Sequence, residues 1–198
     1  PQIDAGDILV QVQGAFVCGT DVRMYHNGYP GISETAPMIL GHEGSGVVTR
    51  CRSDVKNFKE GMRVAIAPNV GCGICDYCVS GNTHLCLDVK AVGIHMPGFF
   101  AEYVKIPESF VRQGNVVEIP DSMSFEEAAL AEPLACVFNA FEKSKMQPGQ
   151  TVLVIGAGPI GLMHAKMAQI AGVEKIIIND LSRDRLDLCR QIDSTFIT

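Results

Sequence analysis

Residues 151–180 read TVLVIGAGPIGLMHAKMAQIAGVEKIIIND, and the order of residue types in that stretch decides the fold. Residues 152–155 form an unbroken apolar run, the pattern of a buried parallel strand. The run leads into Gly156, Gly158 and Gly161, a G-x-G-x-x-G spacing with Pro159 and Ile160 between the last two glycines. Apolar residues then recur at helical spacing as far as Ala171, and Gly172 follows where a helix would end. A second strand at 176–178 reaches Asp180, 19 residues beyond Gly161. Three glycines alone are a weak signal; strand, glycines, helix, strand and acid in this order match the dinucleotide-binding fingerprint.

The fingerprint has a direct chemistry. Glycines let a pyrophosphate approach the backbone, and unpaired N–H groups at the helix start stabilise its charge. Asp180 would accept hydrogen bonds from the ribose hydroxyls of NAD and repel a 2′-phosphate, so NAD is expected rather than NADP. Arg183 and Arg185 weigh the other way, because an arginine near this strand end can accept that phosphate; both can equally face solvent on the next helix.

Four of the chain's eight cysteines fall within residues 71–86, GCGICDYCVSGNTHLC, as Cys72, Cys75, Cys78 and Cys86. Four thiolates on a tight loop can wrap one zinc ion tetrahedrally, with no corner left for substrate. Gly71, Gly73 and Gly81 allow the backbone to make the necessary turns. A structural zinc is expected, against an iron–sulfur cluster or plain reduced thiols. Upstream, VCGTDVRMYHNGYPG and ILGHEGSGVV supply Cys18, Thr20, Asp21, His42 and Glu43. Cys18, His42 and one glutamate would suit a catalytic zinc, which keeps three protein ligands and one open position. By spacing alone, a cysteine and a histidine 24 residues apart say little.

C-G-T-D at 18–21, G-H-E-G at 41–44, the four-cysteine lobe, F-A-E-Y at 100–103, A-E-P-L-A at 131–135 and G-A-G-P-I-G at 156–161 occur in this order. Together they resemble the zinc-containing medium-chain alcohol dehydrogenases, on the sorbitol and threonine dehydrogenase side. The resemblance implies that Cys18, His42 and Glu43 are catalytic zinc ligands and that Glu132 is a further glutamate, binding the metal directly or through water. It implies that Thr20 carries the hydroxyl that begins the proton relay. Many relatives have a histidine where this chain has Arg23, which stays protonated and cannot pass a proton in that manner. His26 is a candidate substitute, with an ordinary surface histidine as the alternative. The implied activity is reversible oxidation of a secondary alcohol, such as a polyol, a sugar alcohol or a hydroxy amino acid, with two zinc ions per chain and NAD. A zinc-free quinone reductase of the same fold, or a non-catalytic zinc-lobe protein acting in interaction or redox sensing, would leave one or other of these motifs unexplained.

The remainder of the chain fits this arrangement. Residues 8–12, 46–49, 63–67 and 103–106 read as short strands among loops rich in Gly, Pro, Asn and Asp. By resemblance, 1–122 is a mainly-β GroES-like catalytic domain with the zinc lobe at about 68–90. Residues 123–198 are then a linking helix and the first part of an α/β Rossmann domain. Ser124 is a predicted N-cap with Glu126 and Glu127 in the first turn, and Pro133 marks a break or a new first turn beside Glu132.

At 198 residues and 47% hydrophobic content, one domain plus part of another is expected, and the chain is read as a piece of a longer enzyme. A charge of −6 with scattered Lys and Arg argues against nucleic acid or an anionic membrane as partner and favours a small molecule. No secretory signal is apparent at the start, and the apolar stretch 152–163 is too short to span a bilayer. A soluble cytoplasmic protein is expected, homo-oligomeric when full length.

Overall fold

The computed structural model describes residues 1–52 and 54–198, in two compact units, Pro1–Glu132 and Pro133–Thr198. In the first unit, β1 (Ile8–Phe16), α1 (Gly19–Asn27), β2 (Glu43–Cys51) and β3 (Arg63–Ile66) are followed by the cysteine-rich excursion. That excursion holds β4 (Asn69–Val70), α2 (Asp76–Val79), a 3-10 turn (Thr83–Leu85) and β5 (Lys90–Ala91). The chain then returns through β6 (Tyr103–Ile106), α3 (Glu108–Arg112), β7 (Val116–Glu118) and α4 (Phe125–Ala129).

Five strands form one antiparallel sheet in the order β6-β1-β2-β3-β7. Alternation along the strands sends Ile8 and Val10, Val64 and Ile66, and Val104 and Ile106 into one core with Val48, Phe99 and Phe110. The lobe is a satellite whose base is closed by the β4–β5 pair and by Gln113 donating to the Gly71 carbonyl (3.1 Å). Ser124 caps α4 reciprocally: its hydroxyl accepts from the Glu127 amide and its own amide donates to the Glu127 carboxylate. Arg63 holds the entry to that helix by donating to the Pro120 carbonyl (2.9 Å) and lying over the Phe125 ring (4.5 Å).

The second unit follows the fingerprint. After α5 (Ala131–Ser144), β8 (Thr151–Ile155) pairs in parallel with β9 (Lys175–Asn179), joined by α6 (Pro159–Ile170). Pro159 opens α6, where a missing N–H costs nothing, and Gly172 follows its end at φ +78°. Next comes α7 (Arg183–Ile192), and a parallel bridge from Ile177 to Ile197 begins a further pairing. Burial of β8 differs from the sequence expectation. Val154, Ile176 and Ile178 form a core with Ala165 and Ala168 of α6 and Cys189 of α7, whereas Leu153 and Ile155 are 58% and 81% exposed. Both helices contribute to the core on one face, and residues alternate in a strand, so the described residues cover the apolar run on that face.

One carboxylate closes this unit. Lys166 Nζ (2.6 Å), the Thr195 hydroxyl (2.6 Å) and amide (3.0 Å) and Gln169 Nε2 (3.0 Å) converge on Asp193, and Lys166 foremost holds its carboxyl well below the ordinary aspartate range. A depressed folded value contributes stability at pH above the unfolded value, and the contribution fades as pH falls below it. Asp193→Asn is therefore expected to melt below the native protein near neutral pH, with the gap narrowing steadily below about pH 4. Melting curves that stay parallel down to acid pH would refute this role.

Candidate functional site

Cys18 stands just before α1 in extended backbone, and Asp21 reaches back from the first turn to accept its amide proton at 2.8 Å. The other Asp21 oxygen accepts from the Gly41 amide at 3.2 Å, which joins the start of α1 to the approach to β2. His42 and Glu43 follow, both 6% exposed. The outcome is a cluster in which Cys18 Sγ, a His42 ring nitrogen and a Glu43 carboxylate oxygen lie within 4.8 Å of one another. His42 Nδ1 lies 3.4 Å from Asp21 Oδ1, an ion-pair contact, and has no hydrogen-bond partner among the described residues. A carboxylate beside Nδ1 favours the proton there and frees the Nε2 lone pair for a ligand. One thiolate, one imidazole and one carboxylate form a donor set that suits zinc with a position left open.

Thr20 is half-buried, and Arg23 Nη2 donates to its hydroxyl oxygen at 3.3 Å. That leaves Thr20 a second lone pair and its own proton. His26 is exposed and stands edge-on against Tyr25. Glu132 falls in the first turn of α5 and is not part of the Cys18, His42 and Glu43 cluster.

The four lobe sulfurs lie within 4.8 Å of one another, with Cys72 and Cys78 Sγ 4.0 Å apart. Zinc–sulfur bonds of about 2.3 Å give a tetrahedron with edges of about 3.8 Å, so the cage fits the ion. Backbone amides converge on it: Cys72 N–H donates to Cys86 Sγ (3.3 Å) and Cys75 N–H to Cys72 Sγ (3.4 Å). Amides of Ile74 and Cys75 lower the Cys72 thiol to about 7. The Gly73 amide also favours a Cys78 thiolate, but burial and the three neighbouring thiols push Cys78 up to about 12. Gly73 and Gly81 take φ +82°. Gly71 is needed for a different reason: a Cβ there would collide with Cys78 Sγ.

At the glycine loop, Gly156 has φ +107°, and a Cβ on Gly161 would strike the Gly156 carbonyl oxygen. Asp180 accepts from the Ala157 amide (2.7 Å) and the Ser182 amide (2.8 Å), with Arg185 Nη1 at 3.7 Å. These contacts, Ser182 foremost, hold its carboxyl below the usual range. A carboxylate offers about four acceptor sites, so capacity for ribose hydroxyls remains. Gly156, Asp180, Ser182 and Arg185 line a cleft of about 550 Å³. Sequence spacing located Asp180 but not its bracing of the loop; nor did it reveal that Asp21 joins the Cys18 and His42 segments.

Residues 4–121 match the family model for the alcohol dehydrogenase GroES-like domain. The chain belongs to that family. A model for an FAD binding domain matches residues 150–188, the span of the β8-α6-β9 unit and most of α7. Sorbitol dehydrogenase of Bacillus subtilis (strain 168) is 39% identical over all of this chain and 55% of its own length. L-threonine 3-dehydrogenase of Rhizobium etli (strain CIAT 652) is 39% identical over 97% of the chain and 54% of its own. A zinc-binding dehydrogenase from Sinorhizobium meliloti 1021, solved bound to NADP, superposes with a TM-score of 0.89 at 33% identity over the whole chain and 56% of its own. The chain thus spans about half the length of the relatives it matches.

Asp21→Asn is expected to weaken divalent metal binding at the Cys18, His42 and Glu43 cluster by about 10- to 100-fold while leaving the lobe's ion in place. Competition against a graded chelator, with metal counted per chain, measures it; equal loss from both clusters would refute it.

Proposed function

We propose that the protein carrying this chain is a zinc-dependent dehydrogenase that moves hydride between a secondary alcohol and NAD. The observation that carries the reading is the convergence of Cys18, His42 and Glu43 at the start of α1, beside Thr20, in a chain that also holds a dinucleotide fingerprint. On this reading Cys18, His42 and Glu43 hold a catalytic zinc, with Glu132 as a further carboxylate, and Cys72, Cys75, Cys78 and Cys86 hold a structural one. A zinc ion at the first centre supplies the Lewis acidity that makes an alcohol proton easier to remove.

The chain's own residues supply the rest. Asp21 orients the His42 ring, and Thr20 accepts the substrate hydroxyl proton on its free lone pair while releasing its own proton to solvent water. Arg23, permanently charged, fixes the Thr20 oxygen and takes no part in the transfer. Gly156, Gly158, Pro159, Ile160 and Gly161 form the loop for the pyrophosphate, and Asp180 receives the ribose hydroxyls.

Polyols, sugar alcohols and hydroxy amino acids are the substrate class, in keeping with the names of the related dehydrogenases. NAD is favoured over NADP by the Asp180 charge, although one structural relative holds NADP. The proposed organisation is a catalytic domain over 1–122, with its lobe at about 68–90, and the beginning of the cofactor domain over 123–198. A cytoplasmic location is the proposed one. No helix among the described residues is long and apolar enough to cross a membrane. A homo-oligomer is the proposed assembly.

The full-length protein is expected to hold two zinc ions per chain by elemental analysis, to lose one in Cys18→Ser, and to reduce NAD in the presence of a polyol. A native count of one, retained in Cys18→Ser, would overturn the catalytic assignment. Asp180→Ser is expected to raise the NADP-to-NAD ratio of kcat/KM by at least about tenfold, equivalent to about 1.4 kcal/mol of relieved repulsion. An unchanged ratio would assign Asp180 to bracing the loop alone.

A further inference from the structure

Residues 98–100 contribute no ligand atom to either cysteine cluster, yet their backbone is fitted to the segment that presents His42 and Glu43. Gly98 N–H donates to the Ile39 carbonyl (2.8 Å), Phe99 N–H to the Gly41 carbonyl (2.9 Å) and Phe100 N–H to the Leu40 carbonyl (3.0 Å). The three carbonyls of the residues leading up to His42 are therefore all occupied by this one stretch. The contact is close enough to exclude side chains. A Cβ on Gly98 would collide with the Gly41 carbonyl oxygen and lie 2.6 Å from that of Leu40; one on Gly93 would meet the same Gly41 carbonyl group. A Cβ on Gly41 would lie 2.7 Å from the Phe100 ring, and one on Gly44 would enter the Phe99 ring.

The stretch is itself anchored. Phe99 is 1% exposed in the main core, and the chain runs on into β6, whose residues pair with β1 from Ile8 to Gln11. The peptide of Gly41 is thus held from both sides, its N–H by Asp21 and its carbonyl by Phe99. Glu43 is bounded next to it by Gly44, pressed against the Phe99 ring.

We infer that residues 98–100 act as a clasp that sets where His42 and Glu43 stand, making Gly44, Gly98 and Phe99 positioning residues for metal affinity at the Cys18, His42 and Glu43 centre. The inference rests on the proposed metal reading of that cluster. Gly44 is the residue that isolates the effect, because its φ is not in the left-handed region and Ala there adds only a methyl group directed at one ring. The added methyl must displace either β2, which begins at Glu43 directly after His42, or Phe99.

The test uses the full-length protein with zinc retained in the lobe and cobalt(II) titrated into the second centre, read by visible absorption, with zinc per chain counted at each step. Gly44→Ala is expected to weaken cobalt binding about tenfold or more, the scale of other groups that orient ligands. Lobe zinc is expected to stay at one per chain. Gly44→Ala combined with Phe99→Leu is expected to bind more tightly than Gly44→Ala alone, the non-additivity of residues in contact, with the lobe ion unchanged in both. Native affinity in Gly44→Ala, parallel loss of the lobe ion, or no recovery in the double variant overturns the clasp. Should Gly44→Ala fail to fold, Phe99→Leu alone decides: a several-fold weaker second site with the lobe intact supports the clasp, and an unchanged one overturns it. A native protein that takes up no second ion fails differently, by removing the metal centre itself.

Discussion

Asp21 is the constraint on which the Cys18, His42 and Glu43 cluster depends. It is 3% exposed, and a carboxylate so buried is tolerated only where its oxygens are hydrogen-bonded. One oxygen takes the Cys18 amide, and the other takes the Gly41 amide and faces His42 Nδ1. These partners come from two segments about twenty residues apart in sequence. Satisfying the buried charge and bringing a thiol to an imidazole are therefore the same event. An asparagine there would keep one acceptor oxygen but set an NH2 against the partners of the other.

The sheet makes that event geometrically possible. Phe16, the last residue of β1, pairs with Glu43, the first of β2, so Cys18 leaves one strand end where His42 enters its neighbour. Register irregularities between Leu9 and Val10 and between Val12 and Gly14 bend β1 on the way. Ser45 then ties β2 to α4 by donating to the Phe125 carbonyl at 2.6 Å. Gly14 lies so near the Phe125 carbonyl that a Cβ would stand 2.8 Å from it. Glycine recurs around the cluster because other groups lie close there: carbonyls at Gly14 and Gly98, and the Phe99 ring at Gly44.

What was legible in the sequence was local. The glycine spacing and Asp180, the Ser124 cap, the alternation in 103–106 and the cysteine spacing each declare themselves within a few residues, because propensity, capping and chelation act over short separations. Cys18, His42 and Glu43 were legible through resemblance, not through spacing. Phe99 against Gly44 and Gly98 against Gly41 were not legible, since contacts across more than fifty residues leave no pattern in a single chain beyond an unexplained glycine. The one-sided burial of β8 was hidden for a related reason: an apolar run reads alike whether one face is covered or two.

The two clusters also differ in the charge they would present, and that difference accounts for their surroundings. One thiolate and one carboxylate with a neutral imidazole balance a divalent ion, so the Cys18 centre can be buried with a single orienting carboxylate outside it. Four thiolates around the same ion leave a net charge of about −2, which must be met by donors. The lobe meets it with the amides of Cys72, Gly73, Ile74 and Cys75, all directed at sulfur, and it keeps three of its four cysteines partly exposed. Amide donors of this kind offset charge without offering an open ligand position. The lobe's donor set is therefore suited to being filled and closed, and on the proposed reading the chemistry falls to the Cys18, His42 and Glu43 centre.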